Sequence, residues 1–296
     1  MTVPLTRSYP ARATLALAAA SALLLGVAAC SGDDDDPFAK VDTSRPTYPP
    51  TTAPANLPTD VPTALPTSGA KVPGAALARR IADGARDKRT VAFDVLATGA
   101  ETVAGSGVAR GSGPASQLKI DVKVGTQDLG IVKTGGAVYF KTPTPLNGKP
   151  WLRVSSDPKD PLSRIYSQAF LGLDTVADVP RVATLVGGMG AFTEAATEQV
   201  DGAQTTKYVA QPGPAKAVSL LSGPYQSLTA QSLKGAKATV SLWVDGDGLL
   251  RRTAVVLTMR NAPPARTLVS YKEWGQPVTV TAPPAGQVLT PPTGAP

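Results

Sequence analysis

Residues 117 to 124 read "QLKIDVKV". In an extended chain, Leu118, Ile120, Val122 and Val124 fall on one face, and Lys119, Asp121 and Lys123 on the other. A strand that is apolar on one side and charged on the other belongs to an antiparallel sheet covered on one side only. The next stretch, "DLGIVKTGGAVYFKT" from 128 to 142, sets Gly135-Gly136 between two alternating runs, the spacing of a two-residue hairpin. The fold is therefore built on a meandering antiparallel sheet.

The same pattern lies on both sides. Upstream, Val91, Phe93 and Val95 alternate with Ala92, Asp94 and Leu96, and before them Leu77, Ile81 and Ala85 recur every four residues behind Pro73, as in a short amphipathic helix. Downstream, "ATVSLWVDGDGLLRRTAVVLTM" (238 to 259) predicts two strands around Asp245 to Gly248, and "RTLVSYKEWG" and "PVTVTAP" predict two more. Between these regions the period changes. Leu162, Ile165, Tyr166, Ala169 and Leu173 are spaced for one helix face, and Val176, Val179, Val182, Ala183 and Val186 for another. "TEAATEQV" and "TTKYVAQP" predict strands joined at Asp201-Gly202, and a third helical piece covers 215 to 221 and breaks at Gly223-Pro224. The expected class is α+β: helix, four or five strands, helices, two strands, helix and four final strands.

Composition narrows the chemistry. The chain of 296 residues has no histidine, which removes Ser-His and Cys-His nucleophile pairs, histidine general bases and nearly all zinc sites. Its basic residues are scattered singly, without the clustered Lys/Arg and interleaved aromatics of a nucleic-acid surface, so no nucleic-acid partner is expected.

The only cysteine, Cys30, explains itself by its surroundings. Arg7 and Arg12 precede the apolar run "ATLALAAASALLLGVAA" and small residues, the three parts of a secretory signal over 1–29. Val27-Ala28-Ala29-Cys30 has the pattern of a bacterial lipobox, in which the thiol takes a diacylglyceryl group and the chain is cut just before it. Lipidation consumes a thiol that could form no internal disulfide, and two acyl chains suffice for stable anchoring. The alternative is an uncleaved membrane helix, since the run is near the short end of a span. Either reading places the rest outside the cell, at the outer face of the cell membrane. A chain starting at Cys30 keeps 27 basic and 22 acidic residues, a net of +5. Asp33 to Asp36 read as a solvated charge run, because successive carboxylates in an extended segment cannot converge on a metal. Residues 30–72 then form a Pro/Thr-rich linker, with prolines at 37, 46, 49, 50, 54, 58, 62 and 66. At about 3.1 Å per residue it could hold a domain roughly 100 Å above the membrane, and its composition suits O-glycosylation.

Three stretches could carry chemistry. "GSGVARGSG" (105 to 113) lacks both the dinucleotide spacing and the Lys-Ser/Thr of a nucleotide loop, and reads as a weakly patterned strand or loop. "DGDG" at 245 to 248 resembles the start of a calcium loop, but Leu249 and Arg251 fall where later ligands belong, so a hairpin turn is expected. Glu194, Glu198 and Asp201 would matter only if the fold gathered them in a cleft. No constellation supports an enzyme, a metal or a cofactor. Trp151, Trp243 and Trp274 sit among apolar neighbours as core or rim residues.

The lipobox, the Pro/Thr stalk, the helix before "TVAFDV", the "GGAVYFKT" hairpin followed by "KPWLRV", the "ATVSLWVDGDGLLRRTAVVL" pair and the closing "LVSYKEWGQPVTVTAPP" together resemble the LppX/LprAFG family of actinobacterial lipoproteins. The resemblance runs in order from about Pro73 to Pro284. It implies a fold similar to the LolA/LolB carriers, a curved antiparallel sheet forming an unclosed half-barrel with helices in its concave mouth. It also implies a cavity for acyl chains of a lipid or glycolipid carried across the envelope. The expected lipid-binding domain spans 73–284, followed by a disordered Pro-rich tail, 285–296. Its expected lining is Phe93, Val95, Leu118, Ile120, Val122, Val124, Val240, Leu242, Val255 and Leu257. Apolar burial would dominate binding, with modest discrimination among lipids. An envelope transporter is the protein partner this reading admits. The rival is a non-enzymatic adaptor or sensor with a dry core and a protein partner. The chain departs from the family pattern in its C-terminal tail and in Gly187-Gly188 and Gly190, which either loosen a lid or simply end a helix, the second being expected.

Overall fold

The computed structural model describes residues 65–66, 68–99, 102–154, 174–220, 233–260 and 262–290. The signal segment, Cys30, the linker up to residue 64, the predicted helix carrying Leu162 to Leu173 and the break at Gly223-Pro224 lie outside them.

Among the described residues, thirteen strands form one sheet. In chain order the elements are β1 (Lys71–Pro73), α1 (Gly74–Ala85), β2 (Thr90–Thr98), β3 (Val103–Arg110), β4 (Gln117–Val124), β5 (Gln127–Thr134), β6 (Ala137–Leu146) and β7 (Lys149–Val154). There follow α2 (Val179–Gly187), β8 (Ala191–Val200), β9 (Ala203–Ala210), α3 (Pro214–Val218), β10 (Lys237–Asp245), β11 (Leu250–Met259), β12 (Ala262–Lys272) and β13 (Val288–Leu289). The order across the sheet is β1-β8-β9-β10-β11-β12-β2-β3-β4-β5-β6-β7-β13. The two ends, β1 and β13, are not bonded to each other, so the sheet is curved but unclosed. A twisted sheet of this width must curl, and bulges at Glu194/Ala196, Trp243/Val244 and Leu257/Met259 add to the bend.

Two runs of hairpins meet at a single seam, where β12 pairs antiparallel with β2: Tyr271 lies opposite Phe93, Val269 opposite Val95 and Thr267 opposite Ala97. Across this seam Leu242, Thr253, Val269, Val95, Gly105, Val122 and Leu129 stand in one continuous row. Helices α1 and α2 pack on that face through Leu77, Ile81, Val179, Val182 and Val186, all buried with it in one apolar cluster. The four-residue spacing of Leu77, Ile81 and Ala85 turns them all inward, as predicted. Asp178 caps α2 by accepting from the Arg181 N–H at 3.2 Å.

Helix α2 ends at Gly187, as expected, and Gly190 follows with φ +90°. The two helices meet closely there. The Gly74 N–H donates to the Gly190 carbonyl at 2.7 Å, and a β-carbon on Gly74 would lie 2.5 Å from that oxygen.

Four expectations need amending. Residues 103–110 form a full strand, so six strands rather than four or five lie between α1 and α2. "PVTVTAP" enters no ladder: Pro277 and Pro283 have no N–H to donate, and Val280 is buried outside the sheet with its carbonyl 3.5 Å from the Thr134 hydroxyl. The sheet also takes in residues on both sides of the expected 73–284 boundaries. Lys71–Pro73 pairs with β8, and Val288–Leu289, in the stretch read as a disordered tail, adds in parallel to β7. Finally, one wet face does not hold throughout. On β9 to β12 the outward side chains Val209, Ser241, Trp243, Ala254, Val256 and Leu268 are buried too.

Candidate functional site

The lining expected from the sequence lies on the inner face. Phe93, Val95, Leu118, Ile120, Val122, Val240, Leu242, Val255 and Leu257 are all buried there in the cluster shared with α1 and α2. Val124 differs: it pairs with Val103 and Gln127 near the end of β4 and is half-buried, outside that cluster. Period-2 alternation thus brought nine of the ten side chains together, from Phe93 to Val122 in the first run of strands and from Val240 to Leu257 in the second.

The glycines of β3 have a packing role. Gly105 and Gly107 lie between β2 and β4 in register with Val95 and Phe93. A β-carbon on Gly107 would come within 2.6 Å of the Lys119 carbonyl and 2.8 Å of Phe93 Cζ, and one on Gly105 within 2.6 Å of Val122 Cγ1. The large side chains of the flanking strands therefore lean over a glycine track. No phosphate loop is formed.

One line of polar atoms crosses this apolar face. Tyr271 is fully buried, and its hydroxyl donates to the Val176 carbonyl at 2.8 Å, tying the helical turn at 174–177 to the sheet. Burial pushes its ionisation well above the ordinary tyrosine range. Thr253 and Thr267, 3% and 2% exposed, are diagonal neighbours on β11 and β12, and neither hydroxyl makes a hydrogen bond. Thr253 lies beside the Tyr271 phenol but outside hydrogen-bonding geometry. The indole N–H of Trp274, whose ring centroid is 6.2 Å from that of Tyr271, is also buried and unpaired. Each such hydroxyl costs about 1–3 kcal/mol relative to one that is paired.

The outer face carries a different cluster, which period-2 reading missed because the run Leu242-Trp243-Val244 is apolar on both sides. Trp243 is 3% exposed and packs with Val200, Ala254 and Leu268. Its indole donates to Glu198 Oε2 at 2.7 Å, Lys207 Nζ lies 4.9 Å from the ring centre and 3.0 Å from Glu198 Oε1, and the Arg252 guanidinium stands 5.7 Å from the ring. Burial acts to raise the Glu198 carboxyl, but the Trp243 and Lys207 hydrogen bonds and the Lys207 and Arg252 charges outweigh it and hold the group below the usual carboxylate range. Desolvation lowers Arg252, against the attraction of Asp201 and Glu198.

The three carboxylates singled out in the sequence do not share a cleft. Glu194 is exposed, opposite Tyr208 and on the other side of a bulge from Glu198, whereas Glu198 and Asp201 both act on Arg252. "DGDG" is the β10–β11 turn. Asp245 Oδ1 accepts from the N–H groups of Asp247 and Leu249 at 3.0 and 2.9 Å, and Oδ2 from Arg251 Nε at 2.7 Å, so the turn consumes its own acid. Above that turn Arg80 reaches from α1 to the Asp245 carbonyl at 2.8 Å and the Tyr208 hydroxyl at 3.1 Å.

No family model matches the chain, and no curated protein matches it. Among solved structures it is similar to the lipoprotein LppX of Mycobacterium tuberculosis, at 18% identity and a TM-score of 0.47 over 70% of this chain and 98% of that one. It is also similar to LprF from Mycobacterium bovis, at 16% identity and a TM-score of 0.45 over 70% of this chain and 96% of that one.

Proposed function

We propose that this protein is a lipid-anchored envelope lipoprotein that binds the acyl chains of a lipid or glycolipid on the inner face of its sheet and carries the lipid between membranes. The observation that carries the reading is the largely apolar face running from Leu242 through Val95 to Val122 across an unclosed sheet. Because the end strands are not joined, the curl can widen without breaking a ladder bond, and acyl chains can replace helix side chains on the same face. The lipobox at Cys30 and the following Pro/Thr linker support a site held off the outer face of the membrane. Cargo would be held by apolar burial, at about 25 cal/mol per Å², and no catalytic step is needed.

The test is native mass spectrometry with organic extraction. The mature chain, with Cys30 replaced by alanine to keep it soluble, is exported behind a general secretion signal in an actinobacterial host and purified without detergent. Near one lipid per chain is expected, and Val122→Trp should abolish it while the domain stays folded. A well-folded wild-type chain with no lipid would overturn the reading and favour an adaptor with a dry core.

A further inference from the structure

The inner face would pack at least as well if two of its residues were valine. Thr267 stands opposite Val255 and Ala97, and Thr253 opposite Leu242 and Val269, all apolar and in register on one face. Both threonines are more than nine-tenths buried, and both hydroxyls lack a hydrogen bond. Thr253 lies near the Tyr271 phenol, whose own proton goes to Val176, and the Thr267 hydroxyl has no hydrogen-bond partner. Replacing either hydroxyl by a methyl would remove the cost of burying it, so in the apolar face these groups weaken the fold unless something accepts their protons.

Ser241 also has an unpaired buried hydroxyl, but it stands alone on the opposite face, between Val209 and Ala254. Thr253 and Thr267 instead form an adjacent diagonal pair in the middle of the inner face, among valines and leucines. An acyl ester matches this arrangement. Its alkyl chains are compatible with the surrounding valines and leucines, and its carbonyl oxygens accept hydrogen bonds without bringing in a charge or a donor.

We infer that Thr267, with Thr253 beside it, is the ester-recognition point of the inner face, selecting acyl esters over ether lipids or hydrocarbons of the same length. This inference rests on the lipid-binding reading above. It makes discrimination among lipids a property of two hydroxyls rather than of apolar volume alone.

The experiment loads the delipidated mature Cys30→Ala chain with equimolar dipalmitoylglycerol and its dihexadecyl ether analogue, and reads the bound ratio by native mass spectrometry. Wild type should favour the diester by roughly fivefold to tenfold, the equivalent of one or two hydrogen bonds. Thr267→Val should reduce the preference, and Thr267→Val with Thr253→Val should bring it near unity without lowering the melting temperature of the unloaded chain. Equal loading of ester and ether by wild type, or an undiminished preference in the double variant, overturns the inference and leaves lipid binding standing. A double variant that melts lower and shows wild-type selectivity means that the hydroxyls serve buried water, and also overturns it. If wild type loads neither lipid, the inference and the lipid-binding reading both fall.

Discussion

The Tyr271 hydroxyl reaches the Val176 carbonyl at 2.8 Å from a side chain with no exposed surface, linking strand β12 to the helical turn that precedes α2. Tyr271→Phe keeps the ring and removes this bond, leaving a buried carbonyl without its donor. A loss of about 1–2 kcal/mol is expected, read as a lower urea midpoint with an unchanged slope.

The same residue sets the alkaline limb of stability. Its folded ionisation lies above the ordinary value of 10, so near and above that pH the unfolded chain releases a proton that the folded chain retains. Stability contributed below pH 10 is therefore lost as pH rises toward the folded value. Denaturation of wild type and Tyr271→Phe at pH 8, 9.5 and 10.5 should show a steeper decline in wild type.

Glu198 has the opposite sign. Its folded pKa lies below the ordinary 4.5, so its contribution is present above that value and disappears as pH falls through the folded one. Glu198→Gln should be less stable than wild type at pH 7, and the gap should close by pH 3. The side chain is 38% exposed, so solvent screening keeps the difference under about 1 kcal/mol. Equal gaps at both pH values would mean that the hydrogen bond from Trp243 carries the effect without the charge.

Gly107→Ala should destabilise by about 1–3 kcal/mol, since the new carbon would press on the Lys119 carbonyl and the tip of Phe93. Pairing it with Phe93→Leu, which vacates one side of that contact, should recover part of the loss. A double-mutant cycle by thermal melting measures the coupling, and zero coupling would assign the whole cost to the backbone contact.

Anchoring is tested apart from the fold. An alkynyl palmitate analogue should label the wild-type chain in cells, and Cys30→Ala should abolish both the label and detergent-dependent recovery from membranes. Retention of the variant in the membrane fraction would favour an uncleaved apolar helix.

Much of this fold could be read because its signals are local. Leu118, Ile120 and Val122 announce their face by period, and Gly135-Gly136 and Asp245 to Gly248 announce their turns by residue type. The β12–β2 seam has no such signal, because pairing Tyr271 with Phe93 depends on where two distant faces meet. Val278-Thr279-Val280 alternates like a strand yet joins no ladder, since periodicity says nothing about an available edge. Gly105 and Gly107 leave no apolar mark for the opposite reason: their work is done by the Phe93 and Val122 side chains that fill the space above them. Thr253 and Thr267 were hidden because threonine suits any strand, and only burial on the inner face makes their hydroxyls matter.

The seam also sets an order of events. Lys272 Nζ sits 2.7 Å from Asp94 Oδ2, joining positions 178 residues apart, and every ladder bond of β2 to β12 closes a loop of that scale. In the exported lipoprotein proposed above, a chain that crosses the membrane N-terminus first exposes β2 long before β12 arrives. Local hairpins can form in the meantime, but the central strand keeps an open edge until nearly the whole polypeptide has crossed. Under that proposal, such a topology delays folding until translocation is almost complete, which keeps the chain threadable and moves its final assembly to the far side of the membrane.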